Sequence, residues 1–310
     1  MTVVVLGATG FLGRHICAAL RDAGRPVRAV ARSGPTPVDL LHSAPQTLAA
    51  VFDEADAVVN AAGRAWQADA RDMERGNVLV VRTVLDALRL TDGRPRLIQL
   101  GSVHEYGTAE PGTAMAESRP PRPLTPYGRT KLEATRAVLD AVDRRRLDAT
   151  VLRVANVCGP GAPRGSLFGL VAAAVHEARQ ARRADRTPPA LRVSPLRAHR
   201  DVVDVRDVAD AVVAACAPPA AVTGRVINVG AGRAVHMRTL VDRAVALGGV
   251  PLTVDEASGG GPATAADWQL LDIALARRLL GWRPRRGLDD MLGHLLSPHD
   301  PPLTDPSWRG

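Results

Sequence analysis

The 310-residue chain lacks any uninterrupted apolar run of about 18 residues, the length that a membrane-crossing helix needs. Its opening, MTVVVLG, is a short apolar stretch closed by glycine and not a charged leader followed by a long apolar segment. These absences predict a cytoplasmic protein with no membrane partner. Cysteine is scarce: Cys17, Cys158 and Cys216 are odd in number, widely spaced, and form no CxxC pair or partnered histidine set. That argues against a disulfide framework and a zinc site, and predicts reduced, buried thiols and no metal. The chain holds only two tyrosines, Tyr106 and Tyr127, and one lysine, Lys131, so the other 39 basic residues are arginine.

What is present is enough apolar material, 46% of residues, to bury one large core or two smaller lobes without staples. A net charge of +8 raises the question of a nucleic-acid partner, because a basic face attracts phosphates of any sequence. The arginine clusters at 144–146, 182–183 and 283–286 fall near expected helix ends or loops, where solvated charge is ordinary. The expectation is therefore solvated surface or an anionic small ligand, with no nucleic acid.

Up to about residue 155, short β-branched runs alternate with helical periodicity. Strands are expected at Val3 to Leu6, Val27 to Ala31, Ala57 to Asn60, Leu97 to Leu100 and Thr150 to Val154, and helices from Gly13, from about Asn77 and from Tyr127. Such alternation means an α/β fold with a parallel sheet covered on both faces. Beyond Ala155 the pattern loosens around Gly159, Pro160, Gly161 and Pro163, and Val226 to Val229 reads as a late return strand. Residues 1–160 with a return segment at about 200–232 are expected to form one domain, and 161–199 with 233–310 a smaller, interleaved lobe. Stretches 217–221 and 257–261 read as loops. Apolar residues between Val78 and Leu90 cover more than one helical stripe, so this helix needs a second cover, from another subunit or from the second lobe. A homodimer through the helices from about Asn77 and Tyr127 is the reading adopted.

The first strand ends in Gly7-Ala8-Thr9-Gly10-Phe11-Leu12-Gly13, a GxxGxxG turn opening a helix with periodic Ile16, Ala19, Leu20 and Ala23. Glycines let the backbone turn tightly and approach a pyrophosphate, whose charge the free N–H groups of a helix N-terminus stabilise. Strand, glycine turn and helix in that order are the context of a dinucleotide fingerprint. About 20 residues on, an NAD site places an acid on the adenosine ribose. Here Ala31, Arg32 and Ser33 stand instead. An arginine without a neighbouring carboxylate suits the 2′-phosphate of NADP(H), the cofactor expected. Further along, Tyr127-Gly128-Arg129-Thr130-Lys131 sets a phenol and an ammonium at i and i+4 on one helical face. A tyrosine transfers protons near neutral pH only when its pKa falls, and a nearby cation does that by stabilising phenolate.

Taken together these residues resemble the extended short-chain dehydrogenase/reductases, the NAD-dependent epimerase/dehydratase family acting on nucleotide sugars, over nearly the whole chain. Gly7, Gly10 and Gly13 match its glycine turn. Asp39-Leu40 resembles its adenine-contacting pair, Asn60-Ala61-Ala62-Gly63 the stretch after its fourth strand that lines the cofactor, and Asn77 its helix asparagine. Ser102, four residues before Tyr106-Gly107, falls on its catalytic Ser/Thr, completing a trio with Tyr127 and Lys131. Arg153-Val154-Ala155-Asn156 resembles the segment whose asparagine holds bound substrate, and Arg200-Asp201 the segment whose arginine grips the nucleotide diphosphate. Leu280-Gly281-Trp282-Arg283-Pro284 resembles its C-terminal signature.

The resemblance implies a Rossmann-type doubly wound fold, catalytic Ser102, Tyr127 and Lys131, and a cofactor site including Thr9, Phe11 and Leu12 of the turn together with Arg32 and Ser33. Substrate contacts are expected from Ser102, Val103, His104, Tyr127, Asn156 and Arg200. Family dehydratases carry Asp-Glu directly after the catalytic threonine; Val103 and His104 occupy those places and argue against dehydration. The stretch Leu97 to Gly107 is most similar to the actinomycete 4-ketoreductases that finish deoxysugars, which implies NADPH-dependent reduction of a dTDP-4-keto-6-deoxyhexose. Two alternatives stand beside it: an epimerase with retained NAD, and a non-catalytic NADP-sensing regulator. His104 either lines the sugar pocket or is a polar residue satisfied in a bend. Trp66 either stacks on substrate or plugs the lobe interface, and Arg164 is expected on the surface.

Overall fold

A computed structural model describes residues 1–33, 36–65, 68–144, 147–216, 220–257 and 268–297. Along the chain run β1 (Val3–Leu6), α1 (Phe11–Asp22), β2 (Val27–Ala31), β3 (Thr36–Pro37), α2 (Pro45–Phe52), β4 (Ala57–Asn60), α3 (Ala70–Glu74), α4 (Val80–Leu90) and β5 (Arg96–Ser102). Next come α5 (Pro126–Asp143), β6 (Ala149–Val154), β7 (Asn156–Cys158), α6 (Leu167–Arg183), β8 (Leu191–Val193), β9 (His199–Asp204), α7 (Val205–Cys216) and β10 (Val226–Val229). The chain then forms β11 (Ala234–His236), α8 (Met237–Gly248), β12 (Val254–Glu256), β13 (Trp268–Gln269), α9 (Ala274–Leu280) and α10 (Leu288–Leu295).

Seven strands form one parallel sheet in the order β10-β6-β5-β4-β1-β2-β3. The four residues of β1 and of β4 are all buried, as expected of strands covered on both faces. One apolar layer joins α1, α7 and α9 to the sheet, with Ile16, Leu20, Val208, Val212, Ala276 and Trp282 in its core. The other layer packs α2, α4 and α5 on the opposite face through Leu48, Phe52, Val84, Leu88 and Val138. Burying each of these leucine or phenylalanine side chains contributes about 1.5–3 kcal/mol. Strand order reverses at β1, between β2 and β4, so a crevice opens at the carboxyl ends of those strands, the usual ligand position in a doubly wound sheet.

A third apolar cluster gathers α6, α8 and α10 with β8, through Val171, Val175, Leu191, Leu240, Val241, Leu292 and Leu295. Strand β9 links this cluster to the main sheet's edge. It pairs with β11 and β13 along its first residues and with β7 along its last, so residues far apart in sequence meet beside it.

Several boundaries differ from the sequence reading. Helix α1 starts at Phe11 with Gly10 as its N-cap, two residues earlier than expected, because the glycine turn already adopts extended backbone there. The helix expected from about Asn77 begins at Ala70, capped by Asp69, and passes through a π-turn at Arg75–Leu79 before α4. Asn77 thus lies inside a wide turn rather than at a helix start. The broad apolar stripe of α4 is flanked by this chain's own α2 and α5, which bury Val80, Val81, Val84, Leu85, Ala87 and Leu88 and leave Leu79 and Leu90 exposed. Of the stretches read as loops, Ala220–Val222 forms a single 3-10 turn; residues 217–219 and 258–261 lie outside the described residues, as does Trp66.

Candidate active site

The glycine turn is shaped by backbone clearance. Gly7 has a φ of +74° and a Cβ there would stand 2.8 Å from the Ala62 backbone; a Cβ at Gly13 would stand 2.1 Å from the Gly7 carbonyl oxygen. Helix α1 therefore presses onto β1 and onto the Ala61-Ala62-Gly63 loop, with no side chain capping its first N–H groups. A cleft of about 580 Å³ opens there, lined by Gly10, Phe11, Leu12, Ala61, Ala62, Gly63, Asn77, Ser102, His104, Tyr127, Lys131, Asn156 and Arg200 among others. Uncapped helix N–H groups above glycines too crowded for side chains fit the pyrophosphate of a dinucleotide. Arg32 and Ser33 are exposed beyond the end of β2 and are not among the residues lining the cleft. Thr9 is exposed on the turn.

Other expected cofactor residues have local partners. Asn60 is fully buried: its amide donates to Gln99 at 2.9 Å and its carbonyl accepts the Ala62 N–H at 3.1 Å, so it shapes the loop that lines the cleft. Asn77 receives the Arg64 N–H at 2.8 Å and donates to the Arg64 carbonyl at 2.8 Å and to Thr130 at 3.0 Å, tying that loop to α5. Asp39 accepts the Leu41 N–H at 2.9 Å and pairs with His42 at 2.9 Å, which together hold its carboxyl below the usual range, while Leu40 packs into the core.

Ser102 ends β5, and its Oγ accepts the His104 N–H at 3.3 Å as the chain turns through Val103–Glu105. Tyr127 stands in the first turn of α5, which Thr125 caps by accepting the Gly128 N–H at 3.0 Å. A Cβ at Gly128 would lie 2.4 Å from the His104 carbonyl oxygen, so only glycine lets α5 approach the Ser102 turn this closely. Lys131 is buried one turn on and its Nζ donates to the Leu100 carbonyl at 2.6 Å. The Tyr127 hydroxyl is desolvated although its ring edge reaches the cleft. Burial pushes its pKa up to about 12, the Glu105 charge adds to the rise, and a hydrogen bond with Ser102 opposes it. The Lys131 ammonium, expected to lower the phenol, is itself desolvated and directed at the Leu100 carbonyl.

On the opposite wall the His104 ring lies edge-on to Tyr127 with centroids 5.7 Å apart. Burial, then the Arg200 charge, depress its pKa to about 4, against a hydrogen bond with Asn156, so the ring is neutral at ordinary pH. Asn156 also donates to the Asp201 carbonyl at 3.0 Å and to Gln269 at 3.3 Å. Val103 is a correction: it is fully buried in the apolar cluster against the sheet, where an apolar side chain is removed from water, and it does not line the cleft.

Three further residues lie behind the cleft and have no role in the sequence reading. Glu105 and Arg153 form a buried ion pair behind Ser102, with Glu105 Oε1 accepting the Ser102 N–H at 2.8 Å. The signal was present: Ser102-Val103-His104-Glu105 is an S-x-x-E capping box. Asp201, next to Arg200, accepts the N–H groups of Ala231 at 2.7 Å, Gly232 at 3.2 Å and Leu271 at 3.1 Å, tying two distant segments to β9 beside the cleft. The cysteine thiols are free and buried, with burial pushing Cys17 up to about 11 and Cys216 up to about 12, so neither is a ready nucleophile. No group able to hold a metal occurs among the described residues, and none of their helices is long and apolar enough to cross a membrane.

This geometry has close counterparts among known proteins. The model of the NAD dependent epimerase/dehydratase family matches residues 3–230. A dTDP-6-deoxy-L-talose 4-dehydrogenase (NAD(P)(+)) from Kitasatospora kifunensis is 40% identical, covering 94% of each chain. A UDP-glucose 4-epimerase from Azospirillum brasilense is 29% identical over 95% of this chain and 91% of its own. Among solved structures, RMD from Pseudomonas aeruginosa complexed with NADPH superposes with a TM-score of 0.81 at 25% identity, covering 95% of this chain and 97% of that one. From the glycine turn of β1 to the strands that frame the cleft, the chain belongs to the NAD dependent epimerase/dehydratase family, the extended short-chain dehydrogenase/reductases.

Proposed function

We propose that the protein is an NADPH-dependent 4-ketoreductase acting on a dTDP-4-keto-6-deoxyhexose. The observation that carries this reading is the meeting of Ser102, Tyr127 and Lys131 with His104, Asn156 and Arg200 on one cleft that continues from the glycine turn. A 4-dehydrogenation is a 4-keto reduction run backwards, so the name of the Kitasatospora kifunensis relative supports the same exchange. Arg32, with no acid at position 31, supports NADPH over NADH.

When bound, the reduced nicotinamide supplies hydride to the sugar carbonyl carbon. The chain's residues do the rest. Gly10, Phe11, Leu12 and the 61–63 loop hold the dinucleotide, Arg32 and Ser33 its ribose phosphate, and Lys131 its nicotinamide ribose. Arg200 and Asn156 orient the nucleotide diphosphate sugar, with the neutral His104 ring beside its hexose. Ser102 Oγ, which already accepts one N–H, turns its own proton toward the substrate oxygen and stabilises charge as it develops. Tyr127, kept as a phenol by burial, donates its proton to that oxygen. Residues 1–160 with 200–232 would carry the cofactor, and 161–199 with 233–310 the sugar side. A homodimer through α4 and α5, whose outer flank exposes Leu79 and Leu90, completes the reading and is checked by sedimentation.

The test is NADPH oxidation with a panel of dTDP-4-keto-6-deoxyhexoses, with products assigned by NMR. Stoichiometric consumption and a new C4 hydroxyl are expected. Protein that purifies with one NAD per chain and interconverts C4 epimers without net consumption would overturn reduction in favour of epimerisation.

A further inference from the structure

The cleft floor rests on an ion pair that no step above uses. Glu105 and Arg153 are buried to 0% and 3% side-chain exposure, with Arg153 Nε and Nη2 donating to Glu105 Oε2 at 3.0 and 2.8 Å. The other carboxylate oxygen takes the Ser102 N–H at 2.8 Å. On the preceding peptide the Leu100 carbonyl accepts Lys131 Nζ. A buried carboxylate and a buried ammonium thus grip consecutive peptides of the three residues Leu100-Gly101-Ser102. Gly101 is required between them, because a Cβ there would stand 2.7 Å from Glu105 Oε1 and 3.0 Å from Val151. Beyond the pair, Arg153 lies over the Tyr106 ring at 4.2 Å, and Tyr106 donates to Asn228 at 2.9 Å.

Breaking a buried ion pair is costly, and a packed apolar pair usually serves stability as well or better. Its place directly beneath Ser102, Tyr127 and Lys131 needs a reason other than stability. We propose that Glu105 and Arg153 are positioning residues for the catalytic trio: the carboxylate fixes the Ser102 backbone, and the paired charges set where the Tyr127 proton resides. Tyr127 bonds Ser102 from β5, meets the His104 ring and the Glu105 charge from the turn after it, and shares the cleft with Lys131 from its own helix and, past His104, with Arg200 from β9, while Arg153 from β6 is bonded to Glu105. Among these, Glu105 is the one negative charge. It holds the proton on the Tyr127 phenol and keeps Lys131 an ammonium against its own burial. Arg153, bonded through two N–H groups to the other oxygen of the same carboxylate, is placed to balance that charge. This rests on the reading of Tyr127 as proton donor, but its test needs no substrate.

The chain's two tyrosines allow a direct readout. Phenolate absorbance is titrated in wild type, Glu105→Gln, Arg153→Met and the double variant, each paired with its own Tyr127→Phe background so that Tyr106 cancels. Glu105→Gln is expected to move the Tyr127 titration about one pH unit down, Arg153→Met to move it up, and the double variant to return it near wild type. Arg153→Lys, which keeps the charge, should leave it in place. Circular dichroism confirms that each variant is folded, and the charge-conserving and double variants supply the comparison if a single variant fails to fold. Titrations that coincide in all folded variants, or shifts of one sign whichever partner is removed, would overturn the proposal and leave the ketoreductase reading intact. Signed shifts without turnover of any ketosugar would do the reverse.

Discussion

Tyr127 carries the proposed proton transfer, so Tyr127→Phe should lower turnover about a thousandfold while a fluorescence titration finds NADPH affinity unchanged. Arg32 is exposed, so Arg32→Ala should lower the kcat/KM preference for NADPH over NADH about ten- to a hundredfold at constant thermal stability. His104 gives a pH prediction whose sign follows from its depressed pKa of about 4. The unfolded ring takes a proton near the usual value of about 6.5 and the folded ring does not, so its contribution to stability is complete above that pH and is lost as pH falls toward 4. His104→Gln should therefore flatten part of the wild-type loss in urea midpoint between about pH 6.5 and 4. At this scale the proposed trio was legible because one lysine and one of two tyrosines met at helical spacing. The pKa of that tyrosine was not legible, because it depends on burial and on Glu105, which reaches Tyr127 through the turn and not through the helix.

At the scale of elements, two contacts decide how strands and helices meet. Gly13 sits where a Cβ would lie 2.1 Å from the Gly7 carbonyl oxygen, and backbone cannot yield as a flexible side chain does. Gly13→Ala should push α1 off β1, lower stability by about 1–3 kcal/mol in denaturant titrations and weaken NADPH binding at least tenfold. At the other end, buried Asp207 of α7 accepts the N–H groups of Arg285 at 2.9 Å and Arg286 at 3.2 Å and pairs with the Arg286 guanidinium, while the Trp282 indole donates to the Asp207 carbonyl at 2.9 Å. Asp207→Ala should cost about 3 kcal/mol by leaving Arg286 and two amides without this acceptor, measured as a lower urea midpoint. Periodicity located α1, α4 and α5, but not the π-turn that carries Asn77 into the cleft. That widening follows from the two hydrogen bonds Asn77 makes to Arg64, thirteen residues earlier, and no pattern local to the helix records them.

Over the whole molecule, the parallel sheet and its covering helices followed from alternation alone, since β-branched runs separated by helical stretches admit few other arrangements. The second half was harder to read. Strand β9 is bonded on its edges by β7, β11 and β13, all of them only two or three residues long, and Asp201 holds the 231–232 and 271 segments through backbone N–H groups that any sequence would offer. The solitary Lys131 has a consequence for the molecule as a whole. A protease that cuts only after lysine has a single target in this chain, and that peptide bond lies within α5, at a buried side chain. Cleavage into fragments 1–131 and 132–310 must wait for the catalytic helix to open, so the rate of that one cut is a built-in gauge of how often the active site comes apart.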